Sequence, residues 1–161
     1  MSQSNKQNEL QGLMVIMASF SHGLEEVIGR GAKSIVFRAG QNVGLKTSVK
    51  EKSSDPVEAV GQVQKALVEK GIAWQVDPWK PSDQADFVYD KDGKKAMKVV
   101  CRNCMIRCSL FRYSHQQQKS LCFINQGEFC GIFKKITGYR STLEIIHAGE
   151  NACLKELVWS E

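Results

Sequence analysis

Apolar residues recur at spacings of three and four through Leu24, Val27, Ile28, Ile35, Val36, Ala39 and Val43. That is the period of a helix with one buried face. Gly29 and Gly31 interrupt it, so the pattern predicts two helices between about Leu10 and Leu45, broken at the glycines. Gly40 and Gly44 fall on one helical face, where small residues let another backbone come close. The polar stretch MSQSNKQNE, residues 1–9, reads as a disordered tail. A third helix is predicted over SSDPVEAVGQVQKALVEKGIAW: Asp55 can cap it, Pro56 suits its first position, and Gly71 follows its end. Val57, Val60, Val63 or Gln64, and Leu67 form its buried stripe.

The period then changes. A strand is expected near Trp74, and ADFVYDKDGKKAMKVVC reads as a hairpin turning at Asp92-Gly93. SLCFINQGEFCGIFKKITG returns to a helical pattern, with Leu121, Ile124, Phe129, Ile132, Phe133 and Ile136 on a broad apolar side and Gly138 as its stop. STLEIIH and ACLKELVW are strands around a turn at Gly149-Glu150-Asn151. Two helices, a helix, a hairpin, a helix and a hairpin make an α+β domain, with helices packed on an antiparallel sheet. No repeat or low-complexity linker divides residues 10–161, which read as one domain.

Composition narrows the functional classes. The 161 residues are 42% hydrophobic and 24% charged, enough for one real core. A formal charge of +5 is modest, and acids separate most of the basic groups, so a solvated surface is expected and a nucleic-acid footprint is not. The run LMVIMASF is too short to span a membrane and lacks a basic leader and a cleavage site. A cytoplasmic location is the expectation. Six cysteines in a reducing compartment then point to thiols or metal ligands before disulfides.

Three of them fall in CRNCMIRC, at the end of a predicted strand. A helix would gather Cys101, Cys104 and Cys108 on one face; a strand would set Cys101 opposite the other two. With Cys122 or Cys130 as a fourth thiolate, the first geometry admits an iron–sulfur cluster. The second does not gather three ligands; a single Cys104 facing a pocket, with its neighbours as spectators, and attachment of a tetrapyrrole through one thiol are further alternatives. A zinc ribbon would need a second Cys-x2-Cys, which is absent. Ser19, Ser21 and His22 are neighbours without an oxyanion loop, and His115 belongs to the polar stretch YSHQQQKS. No nicotinamide or flavin motif is visible, so binding is expected ahead of catalysis.

GLEEVIGRGAKSIVFRAGQNVG, VVCRNCMIRC and the pair LCFINQGEFCGIF with LEIIHAGENACLKEL together resemble the 4-vinyl reductase, or hydrocarbon-binding, domain family over nearly the whole chain. The resemblance implies the fold of the TRAPP vesicle-tethering subunits, often dimeric, with an apolar pocket between helices and sheet. It implies a hydrophobic ligand, aromatic or a tetrapyrrole (chlorophyll) precursor, walled by Leu24–Val43 and Leu121–Ile136, and a protein partner that receives the signal. It also implies a structural zinc on Cys122, Glu144, His147 and Cys153. His147 stands where the family usually has cysteine, and the turn to Cys153 is two residues shorter. Glu144 and His147 point to opposite faces of a regular strand, so that site needs a bulge or an early turn between them. Two other functions are weighed beside this one: a redox protein built on Cys101, Cys104 and Cys108, and an assembly factor working through protein contacts.

Overall fold

The computed structural model describes residues 3–104, 106 and 119–160. Cys108 and His115 lie outside them, as does most of Tyr113–Ser120. Helix α1 covers Gln3–Ile28, so the stretch read as a polar tail enters it at Gln3. A 3-10 turn at Gly29–Gly31 separates it from α2, Ala32–Lys46, where the glycines interrupt the pattern. Helix α3, Pro56–Glu69, starts as its sequence requires: the Asp55 carboxylate accepts the Val57 amide at 2.8 Å, with Pro56 in the first turn. Its buried residues are Ala59, Val60, Val63, Ala66 and Leu67. Each of its larger apolar side chains contributes on the order of 2 kcal/mol by leaving water.

The strands are β1 (Gln75–Trp79), β2 (Val88–Lys91), β3 (Lys94–Arg102), β4 (Arg140–Ala148) and β5 (Cys153–Ser160), with helix α4, Ser120–Thr137, between β3 and β4. Asp92 and Gly93 both take positive φ (50° and 74°), as a tight two-residue hairpin loop demands. Gly138, at φ 85°, closes α4. All pairings are antiparallel in the order β1-β3-β5-β4, with β2 beside the first half of β3. The α+β reading holds, in a single domain.

Helices cover one face of the sheet. Phe133 of α4 meets the Trp159 ring at 6.0 Å, so Cys153, Lys155, Leu157 and Trp159 of β5 face inward and Leu154, Glu156 and Val158 face away. Phe129, Ile132, Phe133, Leu143 and Leu157 lie in the sealed middle of the core. Helix α2 is held against α4 at backbone distance. A Cβ on Gly40 would stand 1.9 Å from the Ile124 carbonyl oxygen, and one on Gly127 2.0 Å from that of Phe37. This close approach is the role the Gly40/Gly44 spacing predicts.

Candidate functional site

At one end of the inner face four cysteines border a single small cavity of about 20 Å3. Cys101 and Cys153 are Cα partners across β3 and β5. Cys104 follows Asn103, whose left-handed φ of 54° turns the chain out of β3. Cys122 comes from the first turn of α4. Helix α1 positions that turn: the Glu25 carboxylate accepts the Ser120 amide at 2.6 Å and lies 3.4 Å from the Lys119 ammonium. Burial opposes the charge on Glu25, but the Ser120 bond and Lys119 outweigh it and hold the carboxyl below its ordinary range. Trp74, Ile106, Asn125, Ile145 and Lys155 complete the walls.

The electrostatics of this cavity are unusual. Lys155 is only 4% exposed, and its ammonium sits 5.3 Å from the centre of the Trp74 ring. Among the described residues no carboxylate forms an ion pair with it. The Trp74 indole N–H is buried and, among the described residues, has no acceptor. Burial pushes the Cys101 thiol up to about 11, a rise that Lys155 offsets only in part. An ammonium without a carboxylate in such a place is costly unless negative charge joins it.

The ligand set implied by the family resemblance is divided by this arrangement. Cys122 and Cys153 meet at the cavity. Glu144 pairs with Glu156 and His147 with Leu154, both on the face away from α4. The physical reason is the bulge itself. The register shifts between Ile145 and His147, so the extra residue Ile146 returns His147 to the face of Glu144, and that face is the outer one. Both side chains are exposed. As placed, Cys122, Glu144, His147 and Cys153 do not surround one point. Among the described residues no three His, Cys, Asp or Glu side chains already stand close enough together to hold a metal ion. Cys130 lies apart from the cavity, fully buried, and burial pushes its thiol up to about 12. His22 is exposed and pairs with Glu26 at 3.3 Å, away from any serine constellation.

A second concavity, of about 300 Å3, opens between α2 and the edge strand β4. Lys33, Ser34, Phe37 and Arg38 form one wall and Thr142, Leu143 and Glu144 the other, with Gln126 of α4 at its base. Gln126 is 3% exposed and its amide nitrogen has no acceptor among the described residues. Sequence reasoning missed Gln126, Trp74 and Lys155. For Lys155 a signal existed: it occupies an inward position in the alternation Cys153, Lys155, Leu157, Trp159, where an apolar residue is expected.

A domain of helices on one face of a five-stranded antiparallel sheet has counterparts among solved structures. One is the phenol-responsive sensory domain of the transcription activator PoxR, in a crystal structure with phenol. The two superpose with a TM-score of 0.59 over 91% of this chain and 73% of that one, at 10% sequence identity. At that identity the likeness is one of fold. No protein-family model matches the chain, and no curated protein matches it. Among the described residues no helix is long and apolar enough to cross a membrane.

Proposed function

We propose that this domain binds a small, mostly apolar molecule in the groove between α2 and β4, as a module of the 4-vinyl reductase kind. The observation that carries the reading is the buried Gln126 amide, unpartnered among the described residues, at the base of a concavity walled by Phe37 and Leu143. Apolar walls with one or two fixed polar anchors are what small-molecule sites have. A volume of about 300 Å3 is at the low end for such sites and favours a one- or two-ring aromatic over a tetrapyrrole. Lys33 and Arg38 at the rim favour a ligand with an acidic or strongly accepting oxygen. The fold shared with a phenol-responsive domain supports the reading.

Calorimetric titration with phenols, aromatic carboxylates and porphyrins tests it. The expected result is saturable binding of a small aromatic that Phe37→Ala and Gln126→Leu each weaken by about tenfold, as loss of one buried contact does. Absence of saturable binding across the three classes would remove the reading.

We propose further that the domain acts as a dimer through α1. Leu10, Leu13, Met17, Phe20, Leu24 and Val27 repeat at alternating steps of three and four, the seam of a helix pair. Leu10, Leu13, Phe20 and Val27 are each more than half exposed. No charged residue falls between Leu10 and Leu24 to repel a second copy. Light scattering is expected to give a dimer that Leu13→Glu with Phe20→Glu converts to a monomer. A wild-type monomer at tens of micromolar would end this idea.

A further inference from the structure

We propose that Lys155 and Trp74 form a binding site for one small monoanion, of the size and charge of chloride, in the cavity they share. The inference concerns that cavity alone and stands apart from the α2–β4 groove. It starts from a lysine that faces inward from a central strand. Val99 of β3 and Ile145 of β4 are the Cα partners of Lys155, so apolar residues flank it on both sides. A lysine near an edge carries its ammonium along its own stem to water. This one stays inside, at 4% exposed.

The surroundings offer donors and no negative charge. The Trp74 indole N–H is buried and, among the described residues, has no acceptor. The centre of its ring lies 5.3 Å from the Lys155 ammonium, which brings both donors within reach of a single ion. The ring face attracts the ammonium but carries no net charge to cancel it. Among the described residues that line the cavity there is no aspartate or glutamate. Asp77, whose field reaches Cys101, belongs to the outer face and is held by Arg102 at 2.8 Å. The Cys101 thiol, pushed up to about 11 by burial, keeps its proton near neutrality and brings no charge either.

Size then selects the ligand. A cavity of about 20 Å3 has room for one water-sized particle, which rules out phosphate, sulfate and carboxylic acids. A water molecule would accept from the indole and leave the ammonium uncompensated. A halide accepts from both groups and cancels the charge, which a buried ammonium requires. Bound there, it ties Trp74, at the entry to β1, to the middle of β5.

The test uses the full chain, reduced and with a chelator throughout, in sodium gluconate or sodium chloride at equal ionic strength. Gluconate is too large for the cavity. Melting temperature is followed as chloride replaces gluconate, in wild type, Lys155→Met and Trp74→Phe. Wild type is expected to gain about 3–6 °C once chloride is roughly tenfold above its dissociation constant. Lys155→Met should show none of that gain, although it folds at least as stably without chloride. Trp74→Phe keeps the ring, removes the N–H, and should weaken chloride binding by about tenfold. Crystals soaked in bromide should show an anomalous peak within hydrogen-bonding reach of Lys155 Nζ and Trp74 Nε1. An equal chloride response in wild type and Lys155→Met would overturn the proposal, since the anion would then act elsewhere or only through ionic strength. Bromide found only on the surface would overturn it too, as an adventitious ion only. Failure of aromatic binding would leave this result untouched, and the reverse holds too.

Discussion

The two ends of the sheet's inner face are built from the same alternation of residues and have opposite characters. At one end Leu143, Leu157 and Trp159 close against Phe133 of α4, with aromatic rings stacked and tilted along the contact. At the other, two registers further along β5, the inward positions are Lys155 and Cys153, and they face thiols and a void. The first end lowers the free energy by excluding water. The second keeps an ammonium without a carboxylate and an indole N–H without an acceptor, among the described residues, largely out of water, which raises it. The one alternation thus gives a stabilising end and an end that the rest of the fold must offset.

The contrast can be broken most forcefully at the apolar end. Phe133→Ala removes a fully buried ring between Phe129 and Trp159. Urea unfolding is expected to show a loss of about 3–5 kcal/mol, from transfer plus the cavity left behind. A loss below about 1 kcal/mol would mean that this end is not the sealed core described here.

At the thiol end the sign should reverse. Lys155→Met keeps the side chain's length and removes a buried ammonium that has no carboxylate. The substitution is expected to stabilise the fold by about 1–3 kcal/mol, because an apolar side chain of similar volume needs no desolvation of a charge. Equal destabilisation at both ends, read in the same urea titrations, would erase the distinction between them.

The fold was far more legible than the site, for a physical reason. Helix α3, the Asp92-Gly93 hairpin and the stop at Gly138 are each written in a few adjacent residues: a cap with a proline, two positive φ angles, one left-handed glycine. The same local rules made Gly40 and Gly44 readable as a contact face. The thiol cavity depends instead on the register of β3 against β5, which pairs residues 52 positions apart (Cys101 with Cys153) and leaves no local trace. The stretch CRNCMIRC could be read only up to its strand end, since its partners Cys122 and Cys153 arrive from elsewhere. The bulge at Ile146 shows the limit most plainly. Sequence reasoning asked for a bulge between Glu144 and His147, and one is there. Which face it would serve depended on the strand alongside.

The outer face sharpens the comparison last and least. There Glu156 accepts hydrogen bonds from the Tyr89 hydroxyl at 2.6 Å and from the Lys91 ammonium, so a charge half-withdrawn from water is fully matched, unlike that of Lys155. Burial opposes its ionisation, but Lys91 and Tyr89 outweigh burial and hold the carboxyl below its ordinary value of 4.5. A carboxyl held down in the folded state stabilises the fold above its unfolded pKa, and that contribution disappears as pH falls through the lower folded value. Wild-type stability is therefore expected to fall more steeply below about pH 4.5 than that of Glu156→Gln, which has no proton to take up there. The two should lie furthest apart near neutrality and converge in acid. Curves that stay parallel from pH 7 to pH 3 would show that the outer pair adds nothing, and that matched charge on this face is as idle as an ordinary surface ion pair.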